Sequence, residues 1–374
     1  MKKIILSLLT FSCSVLLFSQ TLVKDTFMFD GLQRDYILYI PQIYDGSTAV
    51  PLVLNIHGRG SNADEQNLYG NLHPQADADN FLIVHPNSTV INGTKLWNSS
   101  VIPPGGAGYV DDVGFLNALL DTMIARYNID TSKIYSTGMS NGGFMSYTLA
   151  CELGDRIKKI ASVTGSMTSY LYGSCNPGRI IPVLEIHGTT DPIVPYNGGS
   201  GMQAIEDVID FWVQNNNCNT TPLVYNYPDI NTNDSSTVER YTYHNATDSN
   251  SVIFFKVIGG GHTWPNAIID IPAGNTNRDF DASETIWQFF KGGKLVSGIN
   301  NISLSDDIKI KNLGNELVVE SDKNEIDKLE IYNGIGQKMI GSNTKQISLE
   351  GINNGVYFLI IYTPQGVYSK TIVR

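Results

Sequence analysis

Residues 137–143, Thr-Gly-Met-Ser-Asn-Gly-Gly, constrain the possible fold more than any other stretch of the chain. They match G-x-S-x-G, a sharp turn that joins a strand to a helix and holds a serine hydroxyl above a parallel sheet. A short β-prone run (133–136) precedes the turn, and a run suited to a buried helix (144–150) follows it. The flanking glycines lie where a side chain would collide with the turn. We therefore interpret the stretch as a nucleophile elbow centred on Ser140, rather than an ordinary glycine-rich turn.

Apolar runs and helical patterns alternate along residues 21–292. Runs at 51–56, 81–84, 160–163, 182–186 and 252–258 are typical of buried strands, and 34–40 suits an antiparallel entry strand. Helical spacing occurs at 110–128, 204–214 and 282–290. Strands that alternate with helices predict βαβ crossovers, so the expected fold class is α/β, with a mostly parallel central sheet and helices on both faces.

The two ends of the chain follow other patterns. Lys2 and Lys3, followed by the mainly apolar stretch 4–18, predict a signal peptide over 1–20 and export of the protein. After the α/β domain at 21–292, a glycine-containing linker is predicted at 293–303. Short alternating runs and Asn-Gly turns then predict a small all-β sandwich at 304–374.

Composition and motifs exclude several classes of function. The formal net charge of -11 supplies no basic face for nucleic acid, and the low Lys and Arg content argues against an electrostatic membrane anchor. There is no H-E-x-x-H motif, close Cys/His pairing, P-loop or dinucleotide fingerprint. We therefore expect neither a metal nor a cofactor.

A serine nucleophile needs a base, and the base needs an acid that orients it. The expected order of these three residues along the chain is Ser, then Asp or Glu, then His. The histidines that follow Ser140 are His187, His244 and His262. The glycine-rich loop 259–265 can carry an imidazole over the sheet edge, so His262 is the candidate base. His187 ends a strand beside a glycine, and His244 lies in a polar segment.

Asp191 is the candidate acid. It follows the apolar strand 182–186 directly, so its carboxylate is expected at the same edge of the sheet as Ser140. Asp111 and Asp112 compete for this role, but they stand at the start of a helical pattern, where a carboxylate commonly caps free N–H groups.

The remaining candidate groups complete or surround this site. An oxyanion formed during ester cleavage needs N–H donors, and we assign these to the backbone amides of Asn141 and of Arg59 in the loop after an early strand. Trp97 and Trp264 lie in flanking loops, where they could bind substrate by stacking on a sugar or an aromatic acyl group, or could pack in the core. In an exported protein, Cys151 and Cys175 are the expected disulfide pair, although the sequence leaves the connectivity open.

Together these segments resemble secreted esterases of the polyhydroxybutyrate depolymerase type, a group that overlaps the feruloyl and acetylxylan esterases of carbohydrate esterase family one. The likeness is carried by residues 57–60, 111–115, 138–143, 187–196 and 260–265. It implies an α/β-hydrolase that cleaves oxygen esters with a Ser-Asp-His triad at Ser140, Asp191 and His262. Relatives often carry a cysteine near 244–246 that could pair with one like Cys218, whereas this chain has His-Asn-Ala there.

The C-terminal part resembles the sorting domain of the Bacteroidetes type nine secretion system. Residues 329–337, 355–359 and 370–374 carry this likeness. It implies that the outer-membrane secretion machinery is a partner and that the domain is removed, with release or surface attachment of the enzyme. The alternative is a small sugar-binding β-sandwich.

The sequence therefore predicts an extracellular serine carboxylesterase. We expect it to act on feruloyl or acetyl esters of plant cell-wall polysaccharide such as xylan. A polyhydroxyalkanoate depolymerase, with a polyester substrate, is the nearest alternative. A non-catalytic surface protein that binds glycan is an alternative of another class.

Overall fold

A large mixed β-sheet organises the longer part of the chain. The computed structural model describes residues 21–91, 93–245, 252–267, 269–293, 308–321, 325–333, 338–353, 355–363 and 366–374. The predicted signal peptide at 1–20 and nearly all of the predicted linker at 293–303 lie outside these ranges.

The strands and helices of this part agree with most of the predicted elements. The strands are β1 (Thr21–Phe29), β2 (Leu32–Ile40), β3 (Val50–Ile56), β4 (Leu82–Pro86), β5 (Thr89–Ile91), β6 (Thr94–Leu96), β7 (Ile129–Met139), β8 (Lys159–Val163), β9 (Val183–Gly188), β10 (Leu223–Asn226), β11 (Thr237–Tyr243) and β12 (Val252–Ile258). The helices are α1 (Ala63–Tyr69), α2 (His73–Asp79), α3 (Asp112–Arg126), α4 (Asn141–Glu152), α5 (Ser169–Ser174), α6 (Ile205–Asn215) and α7 (Ala282–Phe290). Among the residues that the structure describes, no helix has the length and apolar character needed to cross a membrane.

The topology of the sheet confirms the predicted α/β class. Its ten strands lie in the order β1-β2-β4-β3-β7-β8-β9-β12-β11-β10. The inner strands from β4 to β12 pair in parallel, while β1, β2, β10 and β11 pair antiparallel at the two sides. Because the inner strands run in one direction, the segments that follow them emerge at one edge of the sheet.

The core lies on both faces of this sheet, as side-chain alternation along a strand requires. In β3, Leu52 and Leu54 belong to the apolar cluster that includes Phe115 of α3. Val53 points to the opposite face and belongs to the cluster that includes Trp287 of α7. Burial on both faces explains why the inner strands are continuous apolar runs in the sequence.

The two aspartates at the start of α3 have different roles, although the sequence pattern predicts that both cap the helix. Asp111 is the N-cap, since its side chain accepts a hydrogen bond from the N–H of Gly114 at 2.8 Å. Asp112 has another role: it is buried and pairs with Arg34 at 2.7 Å. The capping interpretation is therefore confirmed for Asp111 and wrong for Asp112, which forms a buried ion pair.

A disulfide joins Cys151 in α4 to Cys175 at the end of α5, as predicted. The two Cα atoms are 5.3 Å apart, and the two cysteines are separated by 24 positions in the sequence. Cys218 lies outside this disulfide, with its Sγ 3.9 Å from the carbonyl oxygen of Asn216.

The C-terminal strands form two small antiparallel sheets, which confirms the predicted all-β character. These strands are β13 (Ile308–Asn312), β14 (Glu316–Ser321), β15 (Lys328–Asn333), β16 (Lys338–Ser342), β17 (Gln346–Ser348), β18 (Val356–Thr363) and β19 (Gly366–Val373). One sheet has the order β13-β14-β17 and the other β16-β15-β18-β19. Side chains from both, including Val319, Leu329 and Leu359, share one apolar core.

Candidate active site

Ser140 lies in the turn between β7, which ends at Met139, and α4, which begins at Asn141. Its φ of 55° and ψ of -121° place it in a region that non-glycine residues rarely adopt. The backbone holds this conformation, because Ser140 N–H donates to the carbonyl of Val163 at 2.8 Å and its own carbonyl accepts from Phe144 at 3.0 Å. The predicted strand, turn and helix are thus all present around the serine.

The elbow packs directly against the end of β3. A Cβ atom on Gly142 would lie 2.0 Å from the carbonyl oxygen of Ile56, so only glycine fits at this position. The loop after β3 also approaches the serine, since a Cβ on Gly58 would lie 3.4 Å from the Cβ of Ser140. The structure therefore brings the predicted oxyanion loop beside the predicted nucleophile.

Asp191 and His262 form a buried hydrogen-bonded pair. His262 Nδ1 lies 2.7 Å from Asp191 Oδ2, and each residue is 6% exposed. The other carboxylate oxygen, Oδ1, accepts from the N–H groups of Ile193 and Val194, both at 2.8 Å. These bonds fix the carboxylate, and the carboxylate fixes the imidazole.

The loops that carry this pair also meet through a glycine. A Cβ on Gly188 at the end of β9 would lie 2.2 Å from the carbonyl oxygen of Gly260. This close approach lets the loop after β12 cross the end of β9, where it brings His262 to Asp191.

Ser140 and His262 line one cavity of about 380 Å³ at the edge of the sheet. Its other lining residues include Gly58, Arg59 and the apolar side chains of Leu68, Tyr69, Met139, Ile269 and Ile271. The predicted nucleophile and the predicted base therefore face the same space. Of the alternative acids, Asp111 instead caps α3 and Asp112 pairs with Arg34.

His57 fixes the geometry of the loop after β3. Its Nδ1 lies 2.7 Å from the carbonyl oxygen of Gly58, and its Nε2 accepts from the N–H of Ser88 at 3.0 Å. A carbonyl can only accept, so the proton is on Nδ1 and the ring is neutral. Burial supports this state, because it lowers the pKa of His57 from its usual 6.5 to about 4.

The two predicted oxyanion donors face different surroundings. Asn141 begins α4, and its side chain holds the neighbouring loop: Oδ1 accepts from the N–H of Trp97 at 2.7 Å. The side chain of Arg59 is exposed. Among the described residues, none accepts a hydrogen bond from the backbone N–H of Arg59 or of Asn141. Both amides thus remain available to a ligand oxygen.

Trp97 and Trp264 are core residues, so the prediction that they stack on substrate is wrong. Trp97 is 0% exposed and donates from Nε1 to the carbonyl of His57 at 3.0 Å. Trp264 is 1% exposed and donates to Ser283 Oγ at 3.1 Å. Both ring systems are covered by protein and cannot stack on a sugar. Sequence position in a flanking loop does not reveal which way an indole points.

The apolar walls of the cavity were missed by the sequence analysis. Leu68 and Tyr69 end the short helix α1, while Ile269 and Ile271 lie in the loop after His262. Leu68 and Ile269 are 47% and 45% exposed. The isoleucines at 268, 269 and 271 are clustered in this loop, and that cluster is the signal that could have indicated a binding surface. Over the residues that the structure describes, no group of three or more His, Cys, Asp or Glu side chains could hold a metal ion.

The parallel sheet, the strained serine elbow and the acid–histidine pair at its carboxyl edge define an α/β-hydrolase fold. Acetyl xylan esterase from Aspergillus awamori shares this fold, with a TM-score of 0.51 and 16% identity, over 66% of this chain and 94% of that one. At this identity the likeness concerns the fold alone. No protein-family model matches the chain.

Curated sequences narrow the class further. Putative esterase NocK of Nocardia uniformis subsp. tsuyamanensis is 30% identical over 261 residues, which are 65% of this chain and 74% of that protein. Probable feruloyl esterase C of Aspergillus clavatus is 32% identical over 191 residues, which are 50% of this chain but only 62% of that protein. The chain therefore belongs to the α/β-hydrolase esterase family that includes NocK.

Proposed function

We propose that this protein is an extracellular serine carboxylesterase with Ser140, Asp191 and His262 as its triad. Ser140 Oγ attacks the ester carbonyl and forms a tetrahedral intermediate, while His262 accepts the serine proton. Collapse of the intermediate breaks the ester C–O bond, and His262 returns the proton to the departing alcohol. A water molecule, deprotonated by His262, then cleaves the acyl-serine and releases the acid.

The hydrogen bonding of His262 supports this assignment of roles. Its Nδ1 is engaged by Asp191 at 2.7 Å, so Nε2 is the nitrogen left to accept a proton in the cavity that Ser140 lines. The amides of Arg59 and Asn141 would hold the oxyanion, each such donor contributing about 10²- to 10³-fold in rate. His57 would keep the first of these amides in place by bonding to the carbonyl of the same peptide unit.

The apolar lining of the cavity favours a large acyl group. Leu68, Tyr69, Met139 and Ile271 surround a space of about 380 Å³ beside Ser140. An acetyl group would leave most of this surface uncovered, whereas a phenylpropenoyl group such as feruloyl would bury it. We therefore place feruloyl esters of xylan ahead of acetyl esters as the substrate.

A release assay on the full chain tests this proposal. Methyl ferulate, p-nitrophenyl acetate, acetylated xylan and polyhydroxybutyrate are compared as substrates, with Ser140→Ala as the matched inactive variant. We expect the highest kcat/KM for methyl ferulate and no activity above background for Ser140→Ala. Preferred release of hydroxybutyrate would favour the depolymerase alternative. Equal hydrolysis rates for the wild type and Ser140→Ala would contradict the enzyme assignment and favour the glycan-binding alternative.

We also propose that residues 304–374 act as a secretion sorting domain. Two antiparallel sheets around one shared apolar core suit a small recognition module that machinery in the outer membrane could bind. The full chain is expressed in a host that has the type nine secretion system and in the same host without its outer-membrane channel. We expect the esterase outside the first cells and in the periplasm of the second. Equal export from both would contradict the sorting role.

A further inference from the structure

Two buried titratable residues behind Asp191 have no role in the chemistry described so far. Glu185 and His187 both lie in β9, and the side chains of both are 0% exposed. His187 Nδ1 lies 3.0 Å from Glu185 Oε1, and His187 Nε2 lies 2.9 Å from the carbonyl oxygen of Val194. Nε2 is also 3.5 Å from Asp191 Oδ2.

These contacts determine where the protons of His187 lie. The carbonyl of Val194 can only accept, so Nε2 carries a proton. The outer oxygen of Glu185, Oε2, accepts from the hydroxyl of Tyr147 at 2.8 Å. One proton is therefore shared between Nδ1 and Oε1, and the pair as a whole is neutral.

The same contacts tie His187 to the acid of the triad. Val194 donates its N–H to Asp191 Oδ1 at 2.8 Å, and its carbonyl is held by His187 at 2.9 Å. His187 thus fixes the residue that orients the Asp191 carboxylate, and its Nε2 lies 3.5 Å from that carboxylate.

We propose that Glu185 and His187 are positioning residues for ester hydrolysis: His187, as an imidazolium between two carboxylates, holds the Asp191 carboxylate oriented for His262. This inference rests on the proposed function, because it assigns the pair a part in the same reaction. The buried imidazolium lies 3.5 Å from Asp191 Oδ2, on the side of the carboxylate that also bonds to His262.

Burial raises the pKa of Glu185 and so opposes ionisation of this carboxylate, while its hydrogen bonds with His187 and Tyr147 favour ionisation. Burial by itself would lower the pKa of His187, but Glu185 and Asp191 outweigh it and raise that pKa. From the other packed elements, Tyr196 presents a ring with its centroid 6.3 Å away, and Tyr147 bonds to Glu185. Lys256, the β12 partner of His187, is engaged by Glu206 at 3.0 Å.

Variants of the full-length esterase test the proposal. His187→Gln keeps a neutral N–H donor but removes the positive charge, and Glu185→Gln removes the carboxylate that stabilises it. For His187→Gln we expect kcat to fall about 10- to 100-fold with little change in KM. The acid limb of the pH profile of kcat/KM should move up by about one pH unit, because the active site loses a buried positive charge beside Asp191. Glu185→Gln should move the limb in the same direction.

His85→Gln is the matched control. His85 is 1% exposed and lies in β4, so this variant also replaces a buried histidine by glutamine. It should leave the acid limb in place. An unshifted limb in His187→Gln, even with lower kcat, would show a merely structural role and overturn the proposal. An equal shift of the acid limb in His85→Gln would also overturn the proposal.

A spectroscopic measurement keeps this inference separate from the proposed function. Full-length protein labelled with ¹⁵N-histidine is titrated by NMR, and the His187 signals are assigned by their loss in His187→Gln. We expect both ring nitrogens of His187 to be protonated near neutral pH. An unprotonated Nδ1 would overturn the imidazolium. If the protein had no esterase activity, the proposed function would fail while this titration still decided the protonation state.

Discussion

His57 donates a hydrogen bond from Nδ1 to the carbonyl oxygen of Gly58, the residue next to it in the chain, at 2.7 Å. In a trans peptide the C=O and the following N–H point in opposite directions. Holding the Gly58 carbonyl therefore also sets the direction of the Arg59 N–H. The bond that Ser88 donates to Nε2 at 3.0 Å keeps the imidazole in the tautomer that can do this.

Replacing His57 should weaken stabilisation of the oxyanion more than substrate binding. Asn at this position places an amide N–H where Nδ1 stood, whereas Gln extends past it. We expect His57→Gln to lower kcat by about 10-fold or more with KM nearly unchanged, and His57→Asn to lower it less. Affinity for an aryl boronic acid, which forms an oxyanion on Ser140, should fall in parallel with kcat. Equal kcat in the two variants would argue against this role.

Asp191→Asn should nearly abolish activity through the tautomer of His262. The two backbone N–H groups on Oδ1 will keep the amide oxygen of Asn on their side, so its NH₂ group faces His262 Nδ1. His262 must then accept at Nδ1 and carry its proton on Nε2, where it cannot take the serine proton. We expect kcat to fall about 10³- to 10⁴-fold in steady-state assays.

Asp111→Asn is the control for that change. It makes the same substitution at the N-cap of α3, a position where Asn also caps well. Activity and thermal stability should stay near those of the wild type. A comparable loss of kcat in both variants would count against Asp191 as the acid.

Gly142→Ala should disturb both the fold and the elbow. The added methyl group would lie 2.0 Å from the carbonyl oxygen of Ile56, so β3 or α4 has to move. Such overpacking typically costs about 1–3 kcal/mol, and the shift will also displace Ser140. Urea denaturation and kcat are measured beside Gly173→Ala, whose methyl group meets nothing within 4 Å. Similar stability of the two variants would contradict the close packing of the elbow.

The sequence predicted the elements whose pattern is set by local burial. The inner strands β3, β4, β8, β9 and β12 are apolar runs because both of their faces are covered. The lateral strands β1, β10 and β11 were not predicted, since their mixed composition reflects one exposed face or edge. The short helices α1 and α2 were missed because seven residues carry too little periodicity to detect.

The residues of the candidate site also divide into those that the sequence could predict and those that it could not. Ser140, Asp191 and His262 could be placed because each follows a strand of the sheet, and parallel strands deliver such segments to one edge. The apolar wall of the cavity could not be placed, because Leu68 and Ile271 reach the same cavity only where α1 lies beside the loop after β12. His187 was considered only as an alternative base, because the sequence does not show that its side chain meets Glu185 at 3.0 Å.

The fold should lose stability in acid through two buried neutral histidines. Burial lowers the pKa of His57 from 6.5 to about 4 and that of His85 to about 3. Both rings stay neutral in the folded state, whereas the unfolded chain takes up protons as the pH falls below about 6.5. Stability is therefore complete above that pH and decreases toward about pH 4, by on the order of 3 kcal/mol for His57. Urea denaturation as a function of pH should show this slope, and it should become shallower in His57→Asn. In Ile134→Val, which weakens the core by about 1 kcal/mol without a titrating group, the slope should remain that of the wild type; an unchanged slope in His57→Asn as well would contradict the assignment.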